Sequence, residues 1–223
     1  GSTAGLKVGT AAQNRVIFFG VDNADGPTAD LRVRQAMNIA INREAIKKVV
    51  MREQSDPTGV IMPPFVNGWT TALNEYPAHD LDAAKALMAD AGYADGFDIT
   101  LNCPNDRYIN DEAICQASVG MLAQIGVKVN LDAKPKAQHF PLINNLETDF
   151  YMLGWGVPTY DSEYIFNFLV HSKGEKYGSW NGTRFGNGDL DAKIEGLASE
   201  TDLAARDAKI GEIWQVVQDE RLY

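Results

Sequence analysis

The stretch RVIFFGV at Arg15–Val21, then DNADGP at Asp22–Pro27, then DLRVRQAMNIAINREAIKKVV at Asp30–Val50, sets the fold class. The first segment is short, β-branched and aromatic, which suits a strand, and the second is a cluster of turn formers. In the third, Asp30 stands at a capping position. Behind it Val33, Met37, Ala40, Ile41, Ile46, Val49 and Val50 recur mostly three or four apart, the spacing of an amphipathic helix running until Asp56-Pro57 ends it. A strand that hands over to a helix in this way is the unit from which α/β sheets are built.

The same alternation continues down the chain. Leu87 and Met88 lie in a helix that Asp80 caps and Gly92 ends, and Phe97–Leu101 reads as a strand. Asp111–Ile125 is a helix closed by Gly126, and Val127–Leu131 a further strand. Ala137–Leu146 predicts a short helix, Phe150–Gly154 a fourth strand and Ser162–Val170 a helix. Asn187–Ala198 and Leu203–Glu220 are the last helices, the latter with Ile210, Ile213, Trp214 and Val217 on one face. The pattern predicts an α/β fold with a mostly parallel or mixed sheet flanked by helices. Between Pro57 and His79, four prolines and two glycines exclude regular structure, leaving a long ordered loop that either serves function or wraps the surface.

Thirty acidic against twenty basic side chains give a net charge of -10, which repels phosphate and argues against a nucleic-acid partner. No apolar run reaches the length of a membrane span. Cys103 and Cys115 match no metal-ligand or redox spacing; they read as two buried free thiols, with a disulfide as the alternative. His79, His139 and His171 share no zinc-like spacing and read as surface residues, so no metal site is expected. Asn181-Gly182-Thr183 reads as a turn rather than a glycosylation acceptor. There is no nucleophile elbow, phosphate-cradling glycine loop or metalloprotease motif, and the acids are dispersed at helix starts and polar faces. Neither an enzyme nor a cofactor is expected.

Two segments follow predicted strands, where ligands of α/β sheets gather. In Pro104-Asn105-Asp106-Arg107-Tyr108, Arg107 offers a guanidinium fork for a carboxylate, and Tyr108 a flat face with a hydroxyl tip. The competing reading of Arg107 is a surface ion pair with Asp106 or Asp111. In Leu153–Asp161 (LGWGVPTYD), Gly156 allows close backbone approach while Trp155 and Tyr160 supply large walls; core packing of Trp155 is its alternative.

Four ordered segments resemble the peptide/nickel-type, family 5, extracytoplasmic solute-binding proteins of ABC importers. They are Leu31–Ile46 (LRVRQAMNIAINREAI), Asp82–Tyr93 (DAAKALMADAGY) with Gly96-Phe97, Met121–Val129 (MLAQIGVKV) and Trp155–Asp161 (WGVPTYD). The resemblance implies the second lobe of a type II periplasmic-binding-protein clamshell, inserted into a first lobe absent from this chain. Gly1-Ser2 would be a tag scar, residues 3–223 the lobe, and both chain ends would meet at the hinge. It also implies capture of a small solute, a peptide or peptide-like compound, between the lobes of a periplasmic monomer, peripheral to the membrane, that delivers to permease subunits. A signal peptide would precede the natural chain. An opine-like conjugate and a non-transport receptor role are the alternatives.

Carried over by position, Arg107 matches an arginine that holds the ligand carboxylate in dipeptide-binding relatives. The position that in peptide-binding relatives holds the acid for the ligand's α-amine is here Pro158. Asp161, or an acid of the other lobe, would have to replace it. The expected ligand-binding set is therefore Asn105, Arg107, Tyr108, Trp155, Gly156, Pro158, Tyr160 and Asp161.

Overall fold

The computed structural model describes Gly5, Gly9 and residues 11–223, so the expected tag scar lies outside the described residues. Four strands form one mixed sheet: β1 (Val16–Val21), β2 (Phe97–Pro104), β3 (Val127–Lys134) and β4 (Phe150–Trp155), in the order β1-β4-β2-β3. β2 runs parallel to β3, from Phe97 opposite Val127 to Pro104 opposite Lys134, and parallel to β4 through Leu101–Phe150 and Asn102–Tyr151. β1 is antiparallel to β4, with Val16 opposite Trp155 and Val21 opposite Phe150. The start of β1 therefore lies beside the end of β4, a juxtaposition that later shapes the site.

Side chains alternate across a strand, and β4 has both faces covered. Phe150 and Met152 join Val33, Ala36 and Met37 of α1 (Leu31–Ala40), Met88 of α3 (Leu81–Asp90) and Leu122 of α4 (Asp111–Leu122) in one apolar cluster. Tyr151 and Leu153 join a second cluster with Ile165 of α6 (Ser162–Ile165), Ile194 of α7 (Gly188–Gly196) and Ile210, Ile213 and Trp214 of α8 (Leu203–Asp219). The helix Lys136–Asn144 is α5. Asp30 and Asp80 cap α1 and α3 through the amides of Arg32 and Ala83, as the sequence predicts.

Several expectations change. The single helix expected beyond Asp30 is broken: α1 stops at Ala40, Ile41 is extended, and Asn42 starts α2 (Arg43–Ala45), which runs into a π-helical turn at Ile46–Val50. Asn42 causes the break by accepting from the Ala45 amide with its side chain, a cap that competes with continued helix. A π-helical turn likewise follows α6 at Phe166–Val170. β2 and β3 run three residues past their expected ends, so Pro104 closes a strand instead of opening a loop.

Cys103 and Cys115 form a disulfide, not two free thiols, stapling the end of β2 to α4. Sequence spacing cannot show that a strand end and the next helix bring the two residues face to face. Nor are the histidines all on the surface. His139 is fully buried, with Nε2 2.8 Å from the Met152 carbonyl, and His171 is buried between Ser172, Glu195 and Tyr177. Burial pushes the His139 imidazole below its ordinary range. Asn181 is buried, and its amide donates to the His171 and Phe185 carbonyls, a turn-building role.

The loop from Pro57 to His79 is a structural strap. Val60, Ile61, Met62 and Val66 lie in the second cluster, and Gln218 of α8 donates to the Gly59 and Leu73 carbonyls. Where β2 and β3 begin, Gly96 has φ +78°, and a Cβ there would strike the Gly126 carbonyl.

Candidate ligand-binding site

A cavity of about 400 Å³, open to solvent, lies where β2 and β4 end and β1 begins. Asn14 and Arg15 come from the approach to β1, Arg107 from the loop after β2, and Gly154, Trp155, Gly156, Val157 and Pro158 from the end of β4. Tyr164 of α6 completes the wall. Carboxyl ends of parallel strands are where α/β sheets leave room for ligands, because chains diverge there.

Tyr108 organises the cavity from beneath. Its hydroxyl accepts from the Gly154 amide at 2.8 Å, which fixes the ring against β4. This contact requires glycine: a Cβ on Gly154 would sit 2.8 Å from the Tyr108 ring. The Arg107 guanidinium carbon lies 5.0 Å from the ring centroid and that of Arg15 5.8 Å, both within cation–π range. Burial pushes the Tyr108 phenol up, although the Gly154 amide and the two arginines oppose it, so the hydroxyl stays protonated.

Of the expected ligand residues, Arg107, Trp155, Gly156 and Pro158 line the cavity, with Tyr108 directly behind them. Asn105 follows β2 with its amide on the Lys134 carbonyl, outside the lining. Tyr160 stacks on Phe65 at 5.8 Å, 55% exposed, and also stands apart from the cavity. Asp161 is engaged elsewhere. It caps α6 through the Glu163 amide and takes both terminal nitrogens of Arg206, at 2.8 and 2.9 Å. Burial raises its carboxyl, but the hydrogen bonds from Arg206, Glu163 and Asn67 outweigh this and hold it below the usual carboxylate range.

The surface ion pair considered for Arg107 is not formed. The Asp111 carboxylate accepts from the backbone amides of Arg107, Tyr108 and Glu112, bracing the loop, and Asp106 accepts from the Lys136 amide. Trp155 serves both of its readings. It packs on Tyr164 and Phe168 at 5.8 and 5.7 Å while forming a cavity wall.

The expected set lacks five residues of the lining: Asn14, Arg15, Gly154, Val157 and Tyr164. Asn14 donates to the Val157 carbonyl at 2.8 Å and so ties the approach to β1 to the loop after β4. The one signal was Arg15 at the head of RVIFFGV. It gains meaning only once β1 is known to run antiparallel to β4.

A model of the bacterial extracellular solute-binding proteins, family 5 (middle part), matches residues 2–177. The chain belongs to this family. Among curated relatives, the glutathione-binding protein GsiB of Salmonella typhimurium is 27% identical over 190 residues, covering 83% of this chain and 36% of the relative. The dipeptide-binding protein of Escherichia coli is 28% identical over 161 residues, covering 69% of this chain and 30% of the relative. The chain thus spans about a third of the length of the curated relatives it matches.

Among solved structures, a Pseudoalteromonas dipeptide-binding protein in complex with Met-Leu superposes with TM-score 0.83 at 23% identity, covering 92% of this chain and 41% of that one. The binding protein AgaA in complex with agropinic acid, from Agrobacterium tumefaciens R10, superposes with TM-score 0.81 at 24% identity, covering 92% and 42%. These likenesses establish the fold, that of type II periplasmic binding proteins. Among the described residues no helix is long and apolar enough to cross a membrane, and no group of His, Cys, Asp and Glu could hold a metal ion.

Proposed function

We propose that the chain is the ligand-binding lobe of the substrate-binding component of an ABC importer, and that its cavity holds the carboxylate end of a small peptide or peptide-like solute. The observation that carries this reading is Arg107: a guanidinium held at a strand-end cavity, on a braced loop, with no acid of its own. A planar fork of that kind matches a carboxylate in two parallel hydrogen bonds. Glutathione, a dipeptide and agropinic acid, the ligands named for relatives, all present carboxylates.

In this proposal the protein is periplasmic, monomeric and not an enzyme. A second lobe closes over the solute, and ligand favours the closed state because only that state offers contacts from both sides. The closed form then docks on permease subunits.

Calorimetric titration of the 223-residue chain with glutathione and Met-Leu tests the shared-cleft reading. Binding should be weak, in the millimolar range, and lost in Arg107→Ala. Tight binding by this chain alone, or binding indifferent to Arg107→Ala, would count against it.

A further inference from the structure

We propose that Arg15 is a second anion-contacting residue, so that this cavity selects a solute part carrying two acidic groups and no ammonium group. The inference rests on the solute-binding reading above and adds the charge class of the ligand. Both guanidinium carbons lie within 5.8 Å of one ring centroid, that of Tyr108, so one small solute can span them. Neither side chain forms an ion pair among the described residues. No Asp or Glu occurs between Gly1 and Val21.

Among the described residues no carboxylate lines the cavity, and the nearby acids are committed: Asp111 and Asp106 to backbone amides, Asp161 to Arg206. With two guanidinium groups and no carboxylate, the lining is positively charged, an environment that favours anionic acceptors and repels ammonium.

The net charge of -10 opposes an anion at long range. Beyond about 8 Å salt screens that repulsion, so inside the cavity the two guanidinia decide. A neutral solute would offer both of them only uncharged acceptors in place of water, weaker partners than carboxylates, and a cationic one would add repulsion.

The test follows the arginine Nε–H and backbone amide resonances of the chain during titration with N-acetylglutamate, N-acetylalanine and glutamate. N-acetylglutamate should bind roughly tenfold more tightly than N-acetylalanine, the effect of one added charge-assisted contact, and more tightly than glutamate, whose ammonium the cavity disfavours. In Arg15→Gln the preference for the dicarboxylate should collapse to about twofold or less with N-acetylalanine affinity unchanged, as expected when that one contact is lost. Arg15→Lys, which keeps the charge without the fork, should restore part of it.

Equal affinities for the two acetylated acids in the wild type, tighter binding of glutamate, or an Arg15→Gln loss shared equally by both would overturn the proposal. Should Arg15→Gln fail to fold, the wild-type comparison and Arg15→Lys still decide it. If N-acetylalanine binds through Arg107 while Arg15 shows no response to the dicarboxylate, only this inference fails. If no solute perturbs Arg107, the binding reading of the cavity fails with it.

Discussion

Arg206 bonds to the loop that follows β4 and Arg107 lines a cavity with it, and their surroundings differ in one respect. Arg206 of α8 meets two carboxylates, Asp161 at 2.8 Å and Glu163 at 2.7 Å, in a site where its side chain is 16% exposed. Arg107, and Arg15 beside it, meet an aromatic ring, a cavity and no acid. The first arrangement is complete: its charges are matched within the chain, and it ties α8 to the start of α6. The second has unused donors facing an opening. What separates the matched arginine from the two proposed to bind a ligand is how the fold has distributed its carboxylates.

The largest effect is expected from Arg206→Gln. It should cost about 2 kcal/mol, between the values for exposed and fully buried pairs, because it strands two half-buried carboxylates. Denaturant unfolding measures it. Since Arg206 contributes to holding the Asp161 carboxyl below its unfolded value, the stabilisation is present above about pH 4 and disappears as pH falls through the folded value. The difference between wild type and Arg206→Gln should therefore shrink in acid; a constant difference from neutral pH to pH 2 would mean that the pair is not what stabilises.

Tyr108→Phe stands between the two regions. It strips the Gly154 amide of its acceptor and should cost about 1 kcal/mol, while weakening carboxylate binding by loosening the ring that both arginines rest on. If stability falls and binding is untouched, Tyr108 belongs to the scaffold alone. The smallest stability effect should come from Arg107→Ala, within about 0.5 kcal/mol of wild type as for surface changes away from any network. A larger loss would show an unrecognised structural role and erase the contrast with Arg206.

The sequence displayed much of the fold because its signals are local. Alternating apolar residues, capping aspartates and glycine stops located all four strands and the main helices, and the family segments agree with the placement. Half of the candidate site was legible for the same reason: Arg107, Trp155, Gly156 and Pro158 follow strands in the chain and line the cavity. Arg15 was not legible, because it precedes a strand. Only the antiparallel pairing of β1 with β4 carries that end of β1 to the cavity.

By itself the sequence determined the α/β class and the family and pointed to one arginine of the candidate site, since those depend on periodicity, composition and motif order. Tertiary structure alone decided that Cys103 meets Cys115, that His139 is buried, and that Asp161 is committed to Arg206 rather than left for a ligand. Each is a pairing between residues brought together by strand order and helix packing. Pairing at a distance has no period along the chain, so it leaves no mark in the sequence until the fold closes.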